Sequence, residues 1–208
     1  YLFNSLLLAD GRGPWHVDHP GTPLQWLGAL LLRARYLGVG TEASLAADLI
    51  AHPLAYHSLI RIAGVILLLL SQAWCGWRLL RAGISLPLLL FAQLSPFLVW
   101  DGALYLARLS PETLLSAVGL LLLPFLAAPR RPILMGLLLA LLATLKANTL
   151  PLLLCIFLLE GWRARGRALG AFLASYLIIT IPIWPRLGWM FAWYCRVLQL
   201  GGMYGQEG

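Results

Sequence analysis

Long apolar runs alternate with short polar breaks along this chain, and that rhythm predicts helices rather than strands. The runs predict membrane-crossing helices over residues 58–80, 84–100, 113–128, 133–159 and 168–184, several of them shorter than the roughly 20 residues of an upright span. Lys146, Asn148 and Pro151 interrupt the fourth run at its centre. A single tilted helix would bury that lysine at mid-bilayer, at a cost of about 3 kcal/mol. Two short helices, 133–145 and 149–159, would instead carry it at a hairpin tip.

The arginines separate these options. They crowd three short connections: Arg78 and Arg81, then Arg130 and Arg131, then Arg163, Arg165 and Arg167. These connections share one side only if an even number of crossings separates each pair, which the hairpin supplies and a single helix does not. The three connections hold seven of the fifteen basic residues, so density in short loops, not the raw count, orients the chain. With them cytoplasmic, all four histidines (His16, His19, His52, His57) and every acid but Glu160 fall on the opposite face. On that face, residues 24–36 mix Trp26 and leucines with Arg33 and Arg35, as a helix lying in the interface would. Trp189, Phe191, Trp193 and Tyr194 read as an aromatic belt. The expected fold is therefore all-α: a polytopic transmembrane helical bundle with outer-face loops and an interfacial helix. Residues 1–57 form the outer loop with that helix, 58–184 the transmembrane helices with a short hairpin at 133–159, and 185–208 the start of a later outer loop.

Composition agrees. A mean hydropathy of +0.83 with 11% charged residues lies outside the soluble globular class. The net charge of +7 raises nucleic acid as a partner, but the basic residues scatter along span ends instead of forming one face, which excludes that reading. Cys75, Cys155 and Cys195 have no metal-binding spacing and read as structural thiols.

Candidate chemistry lies in three places. Asp18-His19-Pro20 offers a general base, a metal ligand or a phosphate contact; the plain alternative is a turn in which Asp18 caps the helix opening near Thr22-Pro23. Lys146 is either functional, as intramembrane ionisable groups usually are, or a side chain snorkelling from a hairpin tip. Asp101, Arg108 and Glu112 bracket another outer connection, in which Ser110 reads as an N-cap and Glu112 as an acid favoured by the helix dipole. His52 and His57 flank Pro53 in a solvated loop.

In order along the chain, Tyr1-Leu2-Phe3-Asn4-Ser5, Asp18-His19-Pro20-Gly21, Leu109-Ser110-Pro111-Glu112, Leu145-Lys146-Ala147-Asn148 and Gly201-Gly202-Met203-Tyr204-Gly205 carry a likeness. Together they resemble the C-type membrane glycosyltransferases, the protein mannosyltransferase and aminoarabinose transferase clan. The likeness covers most of the chain and rests on the order and sidedness of the motifs. It implies transfer of a sugar from a polyprenyl-phosphate donor to an acceptor hydroxyl on a glycan, lipid or protein. The implied location is a bacterial inner membrane, with the site facing the periplasm. It places Asp18 and His19 at the donor phosphate or a bound metal, with His19 where relatives often carry a lysine. Lys146 matches a hairpin lysine that faces the lipid phosphate, and Glu112 an outer position that is often acidic. Arg108 joins the phosphate set and Asp101 the site wall. No cofactor is implied beyond a divalent metal, for which Asp18 is the candidate ligand. The clan's catalytic acid ends a first span upstream of the position of Tyr1, so the chain reads as a fragment in which Asp18 is the acid that remains. Two other classes stay open: a multi-pass transporter, which would also carry a lysine in a broken helix, and a non-catalytic membrane scaffold.

Overall fold

The computed structural model describes residues 1–15, 21–98, 108–128 and 131–199, and these are helical with no strand among them. In chain order the helices are α1 (Leu2–Ala9), α2 (Thr22–Val39), α3 (Leu45–Ala51), α4 (Pro53–Arg81), α5 (Leu86–Leu94), α6 (Pro111–Ala127), α7 (Pro132–Leu145), α8 (Trp162–Thr180) and α9 (Leu187–Gln199). Three 3₁₀ segments, Ser95–Phe97, Ala147–Leu158 and Ile181–Arg186, join or extend them.

Contacts fix the directions. Gly64 of α4 lies beside Thr113 and Trp74 stacks obliquely on Phe125 at 5.6 Å, so α4 and α6 run parallel. Gln72 and Gln93 exchange amide-to-carbonyl hydrogen bonds of 3.1 and 2.9 Å, which pins α5 against α4. Gly136 closes directly on the Ala168 carbonyl, and any side chain there would part α7 from α8. At the far ends of the same two helices, α2 touches both: Gly21 N–H donates to Leu145 O at 3.3 Å and Trp26 Nε1 donates to Ile179 O at 3.3 Å. Helices α7 and α8 are therefore parallel, and the segment between them returns.

The run 133–159 is thus broken, as the hairpin reading expects, but its second arm is 3₁₀ rather than α-helical. Lys146 adopts an extended conformation (φ −148°, ψ 125°), and its carbonyl accepts both the N–H and the hydroxyl of Thr149, at 3.1 and 2.8 Å. With that carbonyl taken and Leu145 O bonded to Gly21, the α-ladder of α7 cannot continue. Pro151 lacks the N–H that an α-helix would need there.

These directions sort the charges. Arg78, Arg81, Arg131, Arg163, Arg165 and Arg167 cluster at one end of the helices, which we call the arginine end. Glu112, Lys146, Gly21 and Asp48 lie at the other. Helix α2 crosses this second end, where Leu24 and Leu32 pack with Tyr56 and Ile60 of α4, Leu114 of α6 and Leu145 of α7. Helix α1 lies along α2, close enough that Ser5 fills the space a side chain at Gly28 would need.

Helix α4, at 29 residues, and the continuous helical stretch Trp162–Ala192, at 31, are long and apolar enough to cross a membrane. At 1.5 Å per residue α4 spans about 43 Å, against a hydrocarbon core of about 30 Å. Helices α6 and α7 are shorter, and the second long stretch passes the 184 boundary expected from sequence. Hydroxyls within the apolar helices bond to their own preceding turn: Ser71 to Leu67 O at 2.7 Å, Thr144 to Ala140 O at 2.8 Å and Thr180 to Tyr176 O at 2.7 Å. This satisfies a polar group without solvent.

Candidate functional site

The site is built around Lys146, the only lysine in the sequence. The chain break holds its backbone between α7 and the returning 3₁₀ segment, and its ammonium meets Glu112 Oε1 at 2.5 Å. Glu112 lies in the first turn of α6, which begins after Ser110 and Pro111 at the same end. The two side chains are 30% and 19% exposed, too shielded to be an ordinary surface pair and open enough for a ligand to approach. Glu112 Oε2 is buried without a hydrogen-bond partner among the described residues. Ser110 occupies the N-cap position, but its hydroxyl makes no cap hydrogen bond.

The loop that carries Asp18-His19-Pro20 ends at this point. Its next residue, Gly21, is the N-cap of α2 in a left-handed conformation (φ 46°), and its N–H is the one bonded to Leu145 O. Helix α2 therefore opens at Thr22-Pro23 as expected from sequence, with Gly21 in the N-cap position. Asp18, His19 and Asp101 lie outside the described residues. Arg108 is exposed on the approach to α6 and makes no contact with Lys146 or Glu112 among the described contacts.

On the other flank the first part of the loop is clamped. Arg186 donates from Nη1 to Gly13 O at 3.2 Å and to Pro14 O, and its guanidinium lies 5.0 Å from the Trp15 ring. Trp15 meets Trp189 edge to face at 6.2 Å, and Asn4 Oδ1 accepts from Trp15 N–H at 3.1 Å. No sequence signal links positions 173 residues apart, and Arg186 went unnoticed for that reason.

Asp48 is the second residue that sequence reading passed over, counted there only as one of the outer acids. It is buried and accepts from Tyr56 Oη at 2.5 Å and from Thr41 N–H at 2.9 Å. Those bonds, the Tyr56 hydroxyl foremost, hold its carboxyl at about 2, below the ordinary carboxylate value. Arg35 lies 5.0 Å from the Tyr56 ring. This network ties the α2–α3 connection to the start of α4 and points to no ligand.

An apolar cavity of about 390 Å³ runs along α6 near the Lys146–Glu112 pair, though neither of those two residues lines it. Leu115 and Ser116 line it one turn beyond Glu112, Thr149 lines it beside Lys146, and Leu126 marks its far extent. Among the described residues no group of three or more His, Cys, Asp or Glu could hold a metal ion. Asp18, the candidate metal ligand, lies outside the described residues.

Comparison with protein-family models, curated proteins and solved structures finds no match for this chain.

Proposed function

We propose that the chain is a membrane glycosyltransferase that moves a sugar from a polyprenyl-phosphate donor to an acceptor hydroxyl. One observation carries this reading. Lys146 pairs with Glu112, Gly21 at the end of the Asp18-His19 loop bonds to the neighbouring Leu145 carbonyl, and an apolar groove is lined by Leu115 and Ser116 one turn from Glu112 and by Thr149 near Lys146. An isoprenoid phosphate has the matching form, an anionic head on an apolar chain.

Of the three N–H groups on Lys146, one is directed at Glu112 and two are left for phosphate oxygens. As the sugar–oxygen bond breaks, the donor phosphate leaves with the electron pair, and a cation held in place beforehand stabilises that charge. Glu112 holds the ammonium in position and is a positioning residue. A carboxylate takes the proton of the acceptor hydroxyl as its oxygen attacks the anomeric carbon. Asp18 is assigned that role. In this reading the bundle is polytopic, with the arginine end cytoplasmic and the Lys146 end periplasmic. Arginine density in short connections supports that orientation.

The test uses a photoreactive polyprenyl phosphate on the full chain in detergent. Labelling within the groove, at Leu123 or Leu152, is expected in the parent, and Lys146→Gln is expected to lower it at least about tenfold, the worth of a charged hydrogen bond. Unchanged labelling in Lys146→Gln, or solute uptake without sugar transfer, would remove the assignment.

A further inference from the structure

At the opposite end of the molecule, a second apolar crevice of about 310 Å³ opens between the 3₁₀ segment Ala147–Leu158 and the first turns of α8. Leu153, Leu154, Ile156, Phe157 and Leu169 line it, and Arg165 and Gly166 form its α8 wall. Leu154 and Phe157 are 68% and 65% exposed, so this apolar surface is open rather than a closed core. A Cβ at Gly166 would meet nothing within 4 Å, which leaves the α8 wall bare of side chain at that point.

One rim of the crevice is cationic. Arg165 is immobilised: its Nε donates to Leu159 O at 3.0 Å, its Nη2 donates to Phe157 O at 3.2 Å, and its guanidinium lies 5.6 Å from the Phe157 ring. Those bonds use two of the five guanidinium N–H groups and leave the Nη1 pair available. Arg163 and Arg167 stand in the same opening turns of α8, both exposed, and Arg163 lies 5.6 Å from the ring of exposed Trp162. None of the three arginines pairs with a carboxylate among the described residues. One fixed guanidinium lining an open apolar crevice, with two exposed arginines and an exposed tryptophan in the same turns of α8, complements an amphiphile with an anionic head.

We infer that this crevice binds an anionic phospholipid of the surrounding bilayer, one acyl chain lying along Leu153, Phe157 and Leu169 and the phosphate held by the arginines of α8. The inference goes beyond the transferase reading and does not depend on it, since the crevice lies at the other end from Lys146. It gives the arginine end a specific lipid partner in place of a diffuse charge preference.

Two glycines make the test specific. Gly166 lines the crevice and Gly170, one turn further, does not, yet both face open space. The full chain is reconstituted in bilayers of phosphatidylglycerol and phosphatidylcholine, and retained lipid is counted by native mass spectrometry. The parent and Gly170→Leu should keep one phosphatidylglycerol in preference to phosphatidylcholine, and Gly166→Leu should lose it. Arg163→Gln with Arg167→Gln should weaken phosphatidylglycerol binding roughly thirtyfold, from two charges acting near a lipid headgroup. Equal retention of the two lipids, indistinguishable Gly166→Leu and Gly170→Leu variants, or a dimer that Gly166→Leu abolishes would each overturn the proposal. The last outcome would identify a second copy of the chain as the occupant.

Discussion

The two ends of the helices handle charge in opposite ways. At the Lys146 end several charges are shielded and held by polar partners, Lys146 by Glu112, Asp48 by Tyr56 and Thr41, and Arg186 by the carbonyls of Gly13 and Pro14, while Arg108 stays exposed. Helix α2 crosses this end and α1 lies along it. At the arginine end the cations lie against aromatic rings, Arg81 4.6 Å and Arg78 6.0 Å from Trp77, with no carboxylate in reach among the described residues. A cation lying on a tryptophan without a carboxylate is the pattern that suits an interface, where water and lipid headgroups supply the counter-charge.

The contrast should appear first in stability. Leu145 is fully buried where α2 crosses α7, whereas Leu80, near the arginine end of α4, is 57% exposed. Leu145→Ala should lower stability in detergent by about 2–5 kcal/mol through the cavity it leaves. Leu80→Ala should stay within about 0.5 kcal/mol, as exposed positions usually do. Denaturation of both variants checks this, and equal losses would mean that the covered end is not the tighter one.

Acid should act on the covered end next. The Asp48 carboxyl falls from an ordinary 3.8 to about 2 in the fold. A depressed carboxyl stabilises the folded state fully above its unfolded value and loses that contribution as pH falls through its folded value. The window therefore lies between about pH 4 and pH 2, where arginines do not titrate. Tryptophan fluorescence during acid titration should show the parent losing stability across this window and Asp48→Asn losing less. Superimposable curves would assign the acid response elsewhere.

The smallest effects compare pair with pair. A double-mutant cycle on Lys146→Met and Glu112→Gln should give a coupling of about 1 kcal/mol or slightly more, because the pair is partly shielded. The matching cycle on Arg81→Gln and Trp77→Leu should give about 0.5 kcal/mol, the worth of an exposed cation–π contact. Reversal of that order would place the stronger pairing at the arginine end.

Some of this could be read from sequence because it depends on local properties. The placement of helices follows from apolar run length, and the break at Lys146 follows from a lysine, an asparagine and a proline within six positions. The arginine connections share an end because a short loop between apolar helices turns the chain around each time. The 3₁₀ form of the second hairpin arm was less legible, since it also depends on which donors take the Leu145 and Lys146 carbonyls. One of those donors, Gly21, comes from far away in sequence.

The candidate site divides in the same way. Lys146 stood out because an isolated lysine among leucines is costly wherever it is placed. Its pairing with Glu112 could not be read, because a salt bridge across 34 positions needs the parallel and antiparallel order of whole helices. Asp48 looked like one outer acid among seven until burial and the Tyr56 hydroxyl set it apart. The Arg186 clamp and the two apolar cavities have no local signature at all. By itself, the sequence determined where the chain is helical, where it must break and which end gathers arginine, since hydropathy and backbone chemistry act over a few residues. Only the tertiary structure decided which charges meet and which apolar faces stay open, because those depend on packing between helices far apart in the chain.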